Sequence, residues 1–185
     1  GDEVALGIVR SVMGVGGIVG GILLGLWGGG RRRRLTKAQM YGLSTLLSFL
    51  VADFLNAISR STAGWAIAGF LAELTIPFIV SPCSALWQEI VPPDVQGRVF
   101  STREMIQVLS QPIGFLAGGL LADHVFEPAL QVGGALASSL GWLVGTGAGS
   151  GMSAMFLFTS VFGGLTGLLV LVHPAIRRLE AHRGA

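Results

Sequence analysis

The chain has 185 residues, 51% of them apolar and 12% charged, with a mean hydropathy of +0.71 and a formal net charge of +2. Soluble domains carry about 25% charged residues, so an ordinary water-soluble domain is excluded. Nor is so small a positive charge a nucleic-acid signal.

The charges are also clustered. Residues 11–30, 105–122 and 128–172 hold none, 38–59 hold only Asp53, and 61–88 hold only Glu73. A bilayer-spanning helix needs about 20 mostly apolar residues. Four of these stretches fit one helix each, and 128–172 is longer than one requires. The 29 glycines lie among Leu, Ile, Val and Phe without a three-residue period, which excludes collagen. Within membrane helices, glycine lets backbones approach closely. Cys83 is the single cysteine and has no His or Cys at metal spacing, so neither disulfide, metal nor cofactor chemistry is implied.

In chain order, the first predicted span runs from about Val4 to Gly29 and ends at Arg31, Arg32, Arg33 and Arg34. Gly17, Gly21 and Gly25 recur at intervals of four, with Gly16 and Gly20 beside them. Such a stripe packs helices closely, or forms a sliding surface between rocking halves. Arg10 lies inside this span and Asp53 inside the second, which covers residues 39–59; mutual neutralisation is one way to bury both. The third span, 65–87, holds Glu73 near its midpoint, with Pro77 and Pro82 beyond it. Ionisable groups at that depth are costly and usually functional. Glu73 is a candidate for proton coupling or for attracting a cationic substrate, and the bland alternative is a hydrogen bond to a neighbouring helix. The prolines remove helical hydrogen bonds and mark this span as the one that bends.

A polar loop follows, with Pro92, Pro93 and Asp94, then Gly97 and Arg98; Gly97 is expected to supply a turn that a side chain would obstruct. The fourth span, 102–122, carries Gly114 and Gly118 and ends at Asp123 and His124. Residues 124–151 read as an outer loop whose segment 141–153 is too glycine-rich for a helix. The last span is then 152–172. Basic residues support five spans over six: five in 31–38, two in 89–104 and three in 173–185 share one side, against Arg60 on the other. Positive loops face the cytoplasm, which expects a cytoplasmic C-terminus.

The run Ala85-Leu-Trp-Gln-Glu-Ile-Val-Pro-Pro-Asp-Val-Gln-Gly-Arg-Val-Phe-Ser101 resembles the loop between helices ten and eleven of major facilitator superfamily exporters. Within that superfamily it is most similar to macrolide and siderophore exporters. Pro112 to Pro128 is similar to their helix eleven, and Gly14 to Arg34 to helix eight and its loop. The resemblance implies an all-α, polytopic transmembrane bundle containing helices eight to twelve, hence a fragment inactive alone and lacking the N-terminal half as its partner. It further implies proton-coupled efflux of a hydrophobic or amphipathic small molecule across a bacterial inner membrane. Glu73 would then line the central cavity, and Arg31 to Arg34 with Arg98 would serve the cytoplasmic gate. The acidic residue that many family members carry before the basic pair is absent; Trp27 to Gly30 stands there. A second reading is a non-transporting membrane scaffold. An enzyme is disfavoured, because there is no His-Glu-x-x-His, no nucleophile elbow and no paired intramembrane aspartate.

Overall fold

In a computed structural model, residues 2–28 and 35–173 are described. The described residues are helical throughout the apolar stretches and contain no strand. Six helices follow in order: α1 (Asp2–Gly28), α2 (Lys37–Ile58), α3 (Thr62–Ile90), α4 (Gln96–Leu130), α5 (Ala137–Val144) and α6 (Ser150–Val172). All but α5 are long and apolar enough to cross a membrane. The chain is thus an all-α, multi-pass membrane protein, and the uncharged stretch 128–172 holds one span and one short helix.

Each start and stop has a local cause. Thr36 caps α2: its Oγ1 accepts from the Gln39 N–H at 3.2 Å, while Gln39 Oε1 accepts from the Thr36 N–H at 3.0 Å. This reciprocal box satisfies two donors that a helix start leaves open. Near the middle of α2, Ser48–Asp53 widen into a π-helical stretch, and Ala122–Phe126 do the same in α4. The α3 helix runs through Pro77 and Pro82 without a break in assignment, and α4 likewise through Pro112.

The polarity of the surface is inverted relative to a soluble protein. Among the described residues the buried apolar side chains are alanines apart from Pro82, Leu130 and Val144, whereas Phe115 is 78% exposed and Leu26 75% exposed. Lipid, not a protein core, is the solvent these large side chains suit, and small residues hold the helices together.

The chain divides into two compact units: Gly1–Ser84 with Phe156–Ala185, and Ala85–Met155. In the first, α1 and α3 run parallel. Gly16 faces the Phe70 carbonyl, Gly20 faces the Leu74 carbonyl, and the Met13 side chain lies on Gly69. Trp27 closes the pair edge-to-face on Phe78, with centroids 6.2 Å apart at 71°. Also in this unit, α2 and α6 pair antiparallel. Gly42 meets Leu171, Gly167 lies on the Leu46 backbone, Gly163 lies under the Phe49 ring, and Gly164 meets Leu50.

In the second unit, α4 leads through its π turn to residues 131–149 and the first turn of α6. The outer segment is more ordered than its composition predicts: Ala137–Val144 form α5. The glycine-rich reading holds just beyond it, where Gly145, Gly147 and Gly149 have φ of 88°, 109° and 85°. A side chain is disfavoured at such angles, and glycine is the residue that adopts them at little cost.

Candidate functional site

Glu73 is the intramembrane carboxylate on which the sequence reading turned. The α1–α3 contact places it. Because Gly16 and Gly20 bring the two backbones together, the Glu73 side chain, half-buried, lies over Gly17, with Oε2 3.7 Å from where a Cβ on Gly17 would stand. Larger side chains at 16 and 20 would collide with backbone carbonyls. The carboxylate therefore reaches across the face of α1 through a gap that glycine leaves open.

Among the described residues, the close contacts on α1 are made at Gly16 and Gly20 rather than in the Gly17, Gly21, Gly25 series. Gly21 and Gly25 have open space where a Cβ would project, as do Gly7 and Gly14. The physical reason is the helical period: Gly16 and Gly20 share the face turned to α3, while Gly14, Gly21 and Gly25 fall on another. Arg10 is exposed on α1.

The structure pairs Asp53 with Thr159 of α6, whose Oγ1 donates to Asp53 Oδ2 at 2.9 Å. Asp53 ends the π-helical stretch of α2. Such bulges inside α-helices recur at functional sites, because the extra residue re-aims one side chain. Here the side chain aimed at α6 is a carboxylate.

On α4, Gly114 has open space and Gly118 meets the Met155 methyl at 3.5 Å, an ordinary contact. Gly97 is corrected: it lies in the first turn of α4 with nothing near its Cβ position, because the turn before it is closed by the Val95 N–H donating to the Pro92 carbonyl. Arg98 is exposed one residue further on. Arg31, Arg32, Arg33 and Arg34 lie outside the described residues.

Three features escaped the sequence reading. The first is the glycine seam of Gly42, Gly163, Gly164 and Gly167; the spacing Gly163-x-x-x-Gly167 is a small-x-x-x-small signal that could have found it. The second is Glu127. Its Oε1 accepts from the Gly149 N–H at 2.8 Å and its Oε2 from the Gly151 N–H at 2.9 Å. A carboxylate there meets the positive end of the α6 dipole. The third is the partner of Arg103, expected from the sequence to be neighbouring Glu104 in a surface ion pair: the guanidinium carbon sits 5.6 Å from the centroid of the Trp87 ring.

Comparison with known proteins identifies relatives. Macrolide efflux protein A of Streptococcus pyogenes is 33% identical over 128 residues, 68% of this chain and 30% of that protein. Macrolide efflux protein A of Enterococcus faecalis is 32% identical over 120 residues, 62% of this chain and 34% of its own length. The chain is a homologue of major facilitator transporters. An uncharacterized MFS-type transporter, YfiS of Bacillus subtilis, extends the match to 181 residues at 28% identity, covering 90% of this chain and 43% of its own. The chain spans about a third of the length of the macrolide efflux proteins it matches. No family model matches it, and no solved structure does. The resemblance to major facilitator transporters is borne out at the level of the superfamily.

Proposed function

We propose that the chain forms part of a major facilitator exporter that moves hydrophobic or amphipathic compounds out of the cell in exchange for protons. The single observation behind this reading is the similarity to two macrolide efflux proteins across two thirds of the chain. The geometry adds a candidate for coupling. Glu73 occupies the middle of α3, and Gly17 leaves the space beside it on α1 unfilled by protein side chains. An ionisable residue at that depth is rare and usually functional, which makes it the candidate for coupling. Asp53, hydrogen-bonded to Thr159 instead, is the second acidic candidate.

The bacterial plasma membrane, with residues 173–185 in the cytoplasm, is the setting that the basic loops support. The test is Glu73→Gln in the complete protein, assayed as dye or macrolide export from everted vesicles under an imposed proton gradient. Export is expected to be abolished while the amount of protein in the membrane is unchanged. Undiminished gradient-driven export would remove Glu73 from the mechanism, and a gradient-independent wild type would remove proton coupling.

A further inference from the structure

The second unit contains a groove of about 440 Å³, one of whose lining residues, Arg98, the family resemblance also assigns to the cytoplasmic gate. It is lined by Trp87 at the end of α3 and by Arg98, Val99, Thr102, Arg103 and Ile106 of α4. On α4 these positions fall at i, i+1, i+4, i+5 and i+8, so they form one stripe along the helix surface. The stripe is graded. Arg98 and Thr102 stand at its start, and Ile106, 58% exposed, lies eight residues further into the apolar span. At 1.5 Å per residue the distance from Arg98 to Ile106 is about 12 Å, which matches the step from a headgroup to the upper acyl chain.

Trp87 forms the opposite wall. It is 40% exposed, and the Arg103 guanidinium rests over its ring. Tryptophan at a span end belongs to the headgroup level of a bilayer. Stacking on the ring holds Arg103 against the groove wall. Both charged residues that line the groove are arginines, whose planar donors suit phosphate oxygens. Glu104 lies a third of a turn or more around α4 from every lining position except Arg103, and neither it nor Glu89 nor Asp94 is among the residues that line the groove.

The geometry points to a binding site for an acidic phospholipid: its phosphate is held by Arg98, Thr102 and Arg103, and its acyl chain runs down Val99 and Ile106 beneath Trp87. The apolar lower half distinguishes this occupant from a water-soluble phosphate. The test of this site needs no transport.

The experiment uses the complete protein with every tryptophan except Trp87 replaced by phenylalanine, Trp27, Trp65 and Trp142 among them, reconstituted into phosphatidylcholine vesicles. Trp87 fluorescence is quenched with brominated phosphatidylglycerol or brominated phosphatidylcholine at equal mole fraction. Phosphatidylglycerol is expected to quench with roughly fivefold higher apparent affinity for each arginine engaged. Arg98→Ala should lower that preference by about the same factor, and Arg98→Lys should keep most of it. Inorganic phosphate at millimolar concentration should leave the quenching unchanged. Equal quenching by the two lipids overturns the proposal, as does a preference that survives Arg98→Ala with Arg103→Ala. Displacement by inorganic phosphate would show a simple anion site and overturn the lipid assignment.

Discussion

Glu127 illustrates how much one side chain does when it is the sole acid in a long uncharged segment. Residues 128–172 offer α6 no serine or threonine cap that reaches its first free N–H groups in the way Glu127 does, bonding Gly149 and Gly151 at once. The bond spans 22 and 24 residues, so it joins the end of α4 to the start of α6 as well as capping a helix. Glu127→Ala is expected to destabilise the protein by about 2 kcal/mol, the upper range for losing an N-cap. Glu127→Gln should recover part of this, because one terminal oxygen still accepts. Unfolding in mixed micelles with increasing dodecyl sulfate measures both. An alanine variant as stable as wild type would mean that water replaces the carboxylate at no cost. The residue was visible in the sequence as the lone charge of the outer segment, but its partners are reached through a segment whose path includes four glycines of positive φ.

At the scale of elements, the spans divide into glycine faces that are filled and glycine faces that are open. A methyl group on Gly20 would meet the Leu74 carbonyl, whereas one on Gly21 would meet nothing among the described residues. Gly20→Ala is therefore expected to cost about 1–3 kcal/mol through overpacking. Gly21→Ala should change stability little or raise it slightly, since alanine loses less backbone freedom in a helix. The same comparison applies to the α2–α6 seam. There a Cβ on Gly167 would come within 2.7 Å of the Leu46 nitrogen, so Gly167→Leu should separate the two helices. Thermal unfolding in detergent distinguishes the series, and equal stability of Gly20→Ala and Gly21→Ala would contradict the assignment of the packed face. The presence of glycine stripes was legible in the sequence. Which stripe is used was not, because α1 displays glycine on more than one face and only the position of α3 selects between them.

For the whole molecule, the crossing count makes a prediction about sidedness. Five spans place residues 59–61 and the segment 131–149 on one side of the membrane, and residues 91–95 on the other. In a Cys83→Ser background, Ser61→Cys and Ser139→Cys should react with a membrane-impermeant maleimide added to intact cells. Asp94→Cys should react only after permeabilisation. Labelling of positions 61 and 94 from the same side would remove α3 as a span, and complete inversion would overturn the cytoplasmic assignment of the basic loops. The orientation rests on loop arginines and lysines, which retain their side through their attraction to the cytoplasmic face.

The sequence by itself determined that this is an all-helical membrane protein with five spans, because charge exclusion over some 20 residues is a one-dimensional signal set by bilayer thickness. It also carried the superfamily resemblance, through loop and helix residues contiguous in the chain. The tertiary structure alone decided which glycines touch a neighbour, that Asp53 is bonded to Thr159, that Glu127 reaches the start of α6, and that Arg98 and Arg103 share a groove with Trp87. Each of these depends on the rotation and register of one helix against another. Lipid leaves many apolar faces nearly equivalent, so small-residue contacts between helices, rather than hydropathy, choose among them.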